Sequence, residues 1–302
     1  MYTIKNILIT LLLNGFNLDK VERFSNENII CHVSKFDKLG AQIKYSLFFL
    51  KTKISETVIQ KFLRSSKALN TYPLLISDKE INYKECNELN YKAFFNIWGG
   101  ILNTGLILVP NLSNILTELG LNKLPKGLNG KPDNLFELYC KECLQYCIDS
   151  PTIRYGKERS YESLPDGVIL GKNKMVILYD TKAYSNGFGV SADDITRFTK
   201  YVNEYNEKYE QYFGKVFTFL VLTTTFKDSD KSLEGRSNEL YSNCQTKISY
   251  LSSKNLATIT KLIKENSNYR KSILWNKIFT ELIIKPSNIQ SQLLKISKDK
   301  IL

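Results

Sequence analysis

Histidine is almost missing: His32 is the only one in 302 residues. Ser-His-Asp hydrolysis, His-metal finger nucleases and two-His–carboxylate iron sites all need a catalytic imidazole or further His ligands, so with one histidine they are nearly closed to this chain. Any hydrolysis must run on carboxylates, lysine and a metal that prefers oxygen. His32 itself falls in a strand pattern and reads as structural. Cysteine is sparse, with six residues in no regular framework, which fits reduced thiols of a cytosolic protein. Cys140, Cys143 and Cys147 share a helical face, but zinc would need a fourth ligand that the nearby sequence does not supply, so core packing accounts for them better. Long hydrophobic runs are also missing. The ILITLLL stretch after Lys5 is followed by Asn-Gly-Phe and not by a small-residue cleavage site, so it reads as a packed helix. The apolar stretch Ile97–Val109 is interrupted by Gly99, Gly100, Asn103 and Gly105 and is too short to cross a bilayer. The expectation is a soluble cytoplasmic protein with no membrane partner.

What is present describes a folded globular chain: 43% hydrophobic, 12% aromatic and 24% charged residues. Lys and Arg outnumber Asp and Glu by 42 to 30, a formal charge of +12. Such a surplus favours a polyanionic partner, nucleic acid first. The surplus is shared, +5 over residues 1–125 and +7 over residues 126–302, so both halves can face the same phosphates.

The clearest break is NKLPKGLNGKPDN, residues 122–134, where two prolines, two glycines and three lysines interrupt the apolar periodicity. It predicts domains at 1–125 and 126–302, with no internal sequence repeat. The first half reads as α+β: a helix over 4–13, strands over 29–36 and 41–50 around an Asp37–Gly40 turn, a helix from Ser55, a strand over 73–77 and a helix over 113–119. The second half reads as a helix over 134–148, a hairpin of 166–170 with 175–184, a long helix over 191–213, strands over 216–224 and 247–251, a helix over 252–265, and a basic helical tail. That order suggests an α/β fold, a mixed sheet flanked by helices.

The chemistry concentrates in the hairpin. Strand periodicity puts Val176, Leu178, Asp180, Lys182 and Tyr184 on one face. If Lys172-Asn173-Lys174 forms a three-residue loop, Asp166 falls opposite Asp180. Two such carboxylates repel unless a cation sits between them, and Mg²⁺, or Mn²⁺ in its place, is suited to the gap. The main-chain carbonyl of Thr181 completes the ligand set, and Lys182 orients the attacking water or stabilises phosphorane charge. The competing reading is an ion pair at a strand end.

In this context the motif resembles the PD-(D/E)xK restriction-endonuclease-like superfamily, and in particular the cleavage domain of FokI-type restriction enzymes. The likeness runs through PDGVIL, YDTKAYSNGFG, SADDITRFTKYVNEY, FTFLVLTTTF and ISYLSSKNLATI, over residues 134–265. It implies Asp166 and Asp180 as metal ligands, Lys182 as catalytic lysine, and Mg²⁺-dependent hydrolysis of double-stranded DNA in the manner of a type IIS restriction or anti-phage endonuclease. A further acid on the preceding helix would be Glu137, which sits on an apolar stripe and either meets a metal through water or pairs with Lys141. The resemblance also implies a homodimer or heterodimer in which Asp193 of one copy meets Arg197 of the other; alone, the two read as an exposed intrahelical pair. The likeness stops short of the first half. There Tyr45, Lys51, Lys53, Lys61, Arg64 and Lys67 line either a DNA-facing surface or a solvated one, with Lys61, Arg64 and Lys67 on one helical side. Two other readings remain open: a non-catalytic or conditionally active DNA-binding subunit of a larger complex, and an RNA-directed nuclease.

Overall fold

A computed structural model describes residues 3–24, 27–36, 42–52, 54–78, 86–98, 111–155 and 164–299. Contacts divide the chain into two compact units, 1–102 and 103–302.

The first unit opens with α1 (Ile4–Leu13), capped by the Thr3 hydroxyl, which accepts from the Asn6 N–H. Three strands follow: β1 (Asn17–Arg23), β2 (Ile29–Phe36) and β3 (Gln42–Leu50). Then come α2 (Glu56–Ala68), β4 (Tyr72–Ser77), β5 (Asn87–Leu89) and α3 (Tyr91–Trp98). The sheet order is β1-β2-β3-β4-β5, antiparallel through β3 and parallel from β3 to β5. Alternation along β3 serves both faces: Phe48 packs on Phe62 of α2 and Phe49 on Phe94 of α3. His32 is buried, with Nδ1 2.8 Å from Ser46 Oγ, and burial holds its pKa down against the pull of Glu22. It is a neutral packing residue, as its strand position suggested. The Asp37–Gly40 turn and Lys53 lie outside the described residues. The strand β1, rich in charge, gave no apolar alternation and was not expected.

The second unit contains α4 (Leu112–Gly120), α5 (Pro132–Ile148), β6 (Thr152–Arg154), β7 (Gly167–Leu170), β8 (Val176–Lys182), α6 (Ala192–Phe213), β9 (Val216–Thr223), α7 (Asp230–Cys244), β10 (Lys247–Ser252), α8 (Ser253–Glu265), α9 (Trp275–Ile278) and α10 (Pro286–Asp299). Its sheet order is β10-β9-β8-β7-β6, with β6, β7 and β8 antiparallel and β8, β9 and β10 parallel. Helices α5 and α8 pack together and share a core with Ile177 and Tyr179 of β8. On the other face Phe198 of α6 stacks on Phe219 of β9 at 4.2 Å, and α7 packs on α6 and β10. All of β9 but Phe217 is buried, as expected of a strand covered on both faces.

The expected boundary at 125/126 falls inside this unit. Helix α4 packs on α5 and α8, so the proline- and glycine-rich break is a connection within a core and not a linker. The tail is not one helix. A 3-10 turn (Ser267–Ser272), the single turn of α9 and a bridge from Ile283 to Tyr250 precede α10. Cys140, Cys143 and Cys147 are all buried in the core, with thiols pushed well up by burial, as packing residues should be. Among the described residues no helix is long and apolar enough to cross a membrane.

Gly167 is the tightest point of the sheet. A Cβ there would meet Ile153 O at 2.2 Å and the Tyr179 ring at 2.3 Å. Gly167→Ala should therefore cost about 1–3 kcal/mol in urea denaturation. Gly235→Ala in α7, where a Cβ meets nothing within 4 Å, should be stabilising by up to about 1 kcal/mol.

Candidate active site

The hairpin loop sets the geometry. Lys172–Lys174 closes as a 3-10 turn with Asn173 and Lys174 in the left-handed region (φ 55° and 59°), and the Gly171 N–H donates to Met175 O at 2.8 Å. Leu170 then faces Val176 and Gly167 faces Tyr179, so the next position puts Asp166 opposite Asp180. The parity follows directly. Leu178 lies beside Phe219 in register, on the face covered by Phe198 of α6, and Asp180 and Lys182 share that face at the open end of β8.

Asp180 is 4% exposed, and its Oδ2 lies 2.5 Å from Lys182 Nζ. Asp166 Oδ2 accepts from both the Thr181 N–H (2.6 Å) and the Thr181 hydroxyl (2.8 Å). Burial, then the Asp180 and Glu137 carboxylates, push Asp166 well above the usual carboxylate range. Burial works to lower Lys182, but Asp180 and Asp166 hold it above the ordinary lysine value, so it is an ammonium at neutral pH.

Glu137, on α5, is pushed up to about 7 by burial, against the pull of Arg154. Its Oε2 lies 3.3 Å from Arg154 Nε, while Lys141 is bonded to its neighbour Glu142 at 2.8 Å. The expected Lys141 partner is thus replaced by Arg154 of β6, a strand too short to leave a periodic signal. Among the described residues no three His, Cys, Asp or Glu side chains are gathered to hold a metal ion. The acids nonetheless suit one. Glu137 Oε2 and Asp180 Oδ2 are buried without an aligned hydrogen-bond donor, and all the available ligands are hard oxygens. Mg²⁺ is commonly held by only one or two carboxylates, the rest of its shell being water and substrate.

Helix α6 brings two more groups near. Tyr201 is raised by burial and then by Asp180, and Arg197 acts electrostatically on both Tyr201 and Lys182. Tyr201 had no visible role in the sequence, where it lay beside the apolar seam. The Asp193–Arg197 pair does not form within the helix. Arg197 pairs with Asp194, whose carboxylate also completes a capping box with Ser191, while Asp193 is exposed. The i,i+4 spacing hid a cap one residue on, because Asp194 is oriented by Ser191 first. In the first unit Lys61, Arg64 and Lys67 are all exposed on one side of α2.

Residues 114–285 match the family described as FokI, cleavage domain, which covers more than half of the sequence. The class is that of restriction-endonuclease-like nucleases. This chain belongs to the FokI cleavage-domain family, by its second unit. The structure of restriction endonuclease FokI bound to DNA is similar at 20% identity and TM-score 0.44, covering 59% of this chain and 31% of that one. A second structure of restriction endonuclease FokI gives 21% identity, the same TM-score and the same coverage. The matched part thus spans about a third of those chains. No curated protein matches.

Because Asp194 serves both the cap and Arg197, Asp194→Ala should cost about 1–2 kcal/mol. Asp193→Ala should stay within about 0.5 kcal/mol. Thermal unfolding of the two variants measures the difference.

Proposed function

We propose that this protein is a divalent-metal-dependent endonuclease that hydrolyses phosphodiester bonds of double-stranded DNA. The observation that carries the reading is the opposed pair of half-buried Asp166 and buried Asp180 beside the Lys182 ammonium. Asp166 and Asp180, with the Thr181 carbonyl, would hold Mg²⁺ or Mn²⁺; Glu137 would reach the ion through water. When bound, such an ion polarises a phosphoryl oxygen and lowers the pKa of its water.

The chain's own groups have separate tasks. Thr181 fixes Asp166 through two hydrogen bonds, so one carboxylate needs no reorganisation on loading. Lys182, kept protonated by its acid neighbours, is a donor for charge developing on the phosphoryl oxygens and not a base. Arg154 holds Glu137 at the edge. The first unit would contribute recognition or a partner surface, with Lys61, Arg64 and Lys67 contacting phosphates. Asp193 and Arg197 would meet their counterparts in a second copy, which a double-strand break requires because one centre cuts one strand.

Supercoiled plasmid with Mg²⁺ tests the reading. Cleavage should stop with EDTA and fall by at least about a hundredfold in Asp180→Ala, since even groups that only orient ligands cost 10–100-fold. Activity that survives either treatment would refute the mechanism, and binding without cutting by the unaltered chain would favour a non-catalytic subunit. Parallel RNA digests decide the substrate. Arg197→Glu should lose double-strand breaks while nicking persists; equal loss of both would remove the dimer from the proposal.

A further inference from the structure

The two units share an order of elements that the sequence does not advertise. The first runs α1-β1-β2-β3-α2-β4-β5-α3; the second, after α4, runs α5-β6-β7-β8-α6-β9-α7-β10-α8. Both sheets are an antiparallel meander of three strands continued by two parallel ones, in sequence order. The helices correspond as well. The helix before each meander touches a later one, α1 with α3 and α5 with α8, and α2 and α6 each enter between the third and fourth strands; α7 has no counterpart among the described residues of the first unit.

Register carries the comparison to single residues. In the second unit Gly167 faces Tyr179, so Asp166 is opposite Asp180, with Thr181 and Lys182 following. In the first unit Ile29 faces Phe49, so Asn28 is opposite Leu50, with Lys51 and Thr52 following. The faces agree: Phe48 and Leu50 share a cluster with Phe62 of α2, just as Leu178 and Asp180 lie on the α6 side. The hydrogen bonding agrees too. Asn28 Oδ1 accepts from the Lys51 N–H at 2.9 Å, where Asp166 Oδ2 accepts from the Thr181 N–H at 2.6 Å. Asn28 also donates through Nδ2 to Thr52 Oγ1 at 2.7 Å, which closes the place with neutral groups.

We infer that the first unit is a second copy of the nuclease core whose metal site has been lost, with Asn28, Leu50 and Thr52 standing where Asp166, Asp180 and Lys182 stand in the second. With no carboxylate among them, no donor atom on Leu50, and the Asn28 amide already closed on Thr52, these three cannot form the charged dication site of the second unit, so this unit does not cut. The inference rests on the reading of Asp166 and Asp180 as ligands.

Manganese binding, followed by calorimetry and thermal unfolding of the full chain, tests it. The unaltered chain should bind one Mn²⁺, and Asp166→Ala/Asp180→Ala should bind none. If the unaltered chain binds none, the ligand assignment fails. If it binds one, the decisive protein adds Asn28→Asp, Leu50→Asp and Thr52→Lys to the double alanine background. It should regain one Mn²⁺ and a metal-dependent rise in Tm; a variant that neither binds Mn²⁺ nor folds in its presence would overturn the correspondence. Iron-directed backbone scission of the unaltered chain gives an arm free of folding risk. Loaded with Fe²⁺ and treated with ascorbate and peroxide, it should be cut near residues 166 and 180 only, and cuts near 28 and 50 would show that the first site is not silent.

Discussion

The pairing of β7 with β8 is the constraint on which the second unit depends. It is pinned at one end by the three-residue turn and at the other by Gly167, whose missing side chain admits the Tyr179 ring and the Ile153 carbonyl. With that register, Asp166 meets Asp180 and the Thr181 backbone, and the apolar positions of β8 fall correctly into two cores. Shifted by one, every side chain on β8 would change faces, and the acids would enter the helix-packed interior without partners. Burial supplies the rest. The same apolar surroundings that stabilise the sheet raise the Asp166 and Glu137 pKa values.

Much of the second unit was legible because its strands and helices are long and patterned: β9 reads as a doubly covered strand and α6 as a capped amphipathic helix. The opposition of Asp166 and Asp180 was legible too, given a loop length that the sequence left open. What escaped were contacts made by short or polar pieces. Arg154 lies on a three-residue strand, so nothing in its neighbourhood signalled that it would take Glu137 from Lys141. Asp194 outcompetes Asp193 for Arg197 because the cap orients it, an effect that helical spacing alone does not contain. The domain boundary was misread because prolines and glycines mark any turn, including one between two helices of a single core.

The first unit was the least legible. Its architecture follows the second's, yet the positions that would advertise the relation are Asn28, Leu50 and Thr52, which carry none of the charge of two aspartates and a lysine. Fold is kept by apolar alternation, which many sequences satisfy, whereas a metal site is kept by a few atoms. Once those atoms go, nothing in composition or spacing connects the two halves, and only strand order and register still do.

The left-handed turn at Asn173 and Lys174 lies five residue pairs from the acids, roughly 17 Å away at the rise of an extended chain. It works as a ruler. Adding or removing a single residue at that remote, solvent-facing bend would separate the two aspartates while leaving both of them, and the lysine, in the protein. Length variation among relatives should therefore gather at the sheet's outer connections and spare this one.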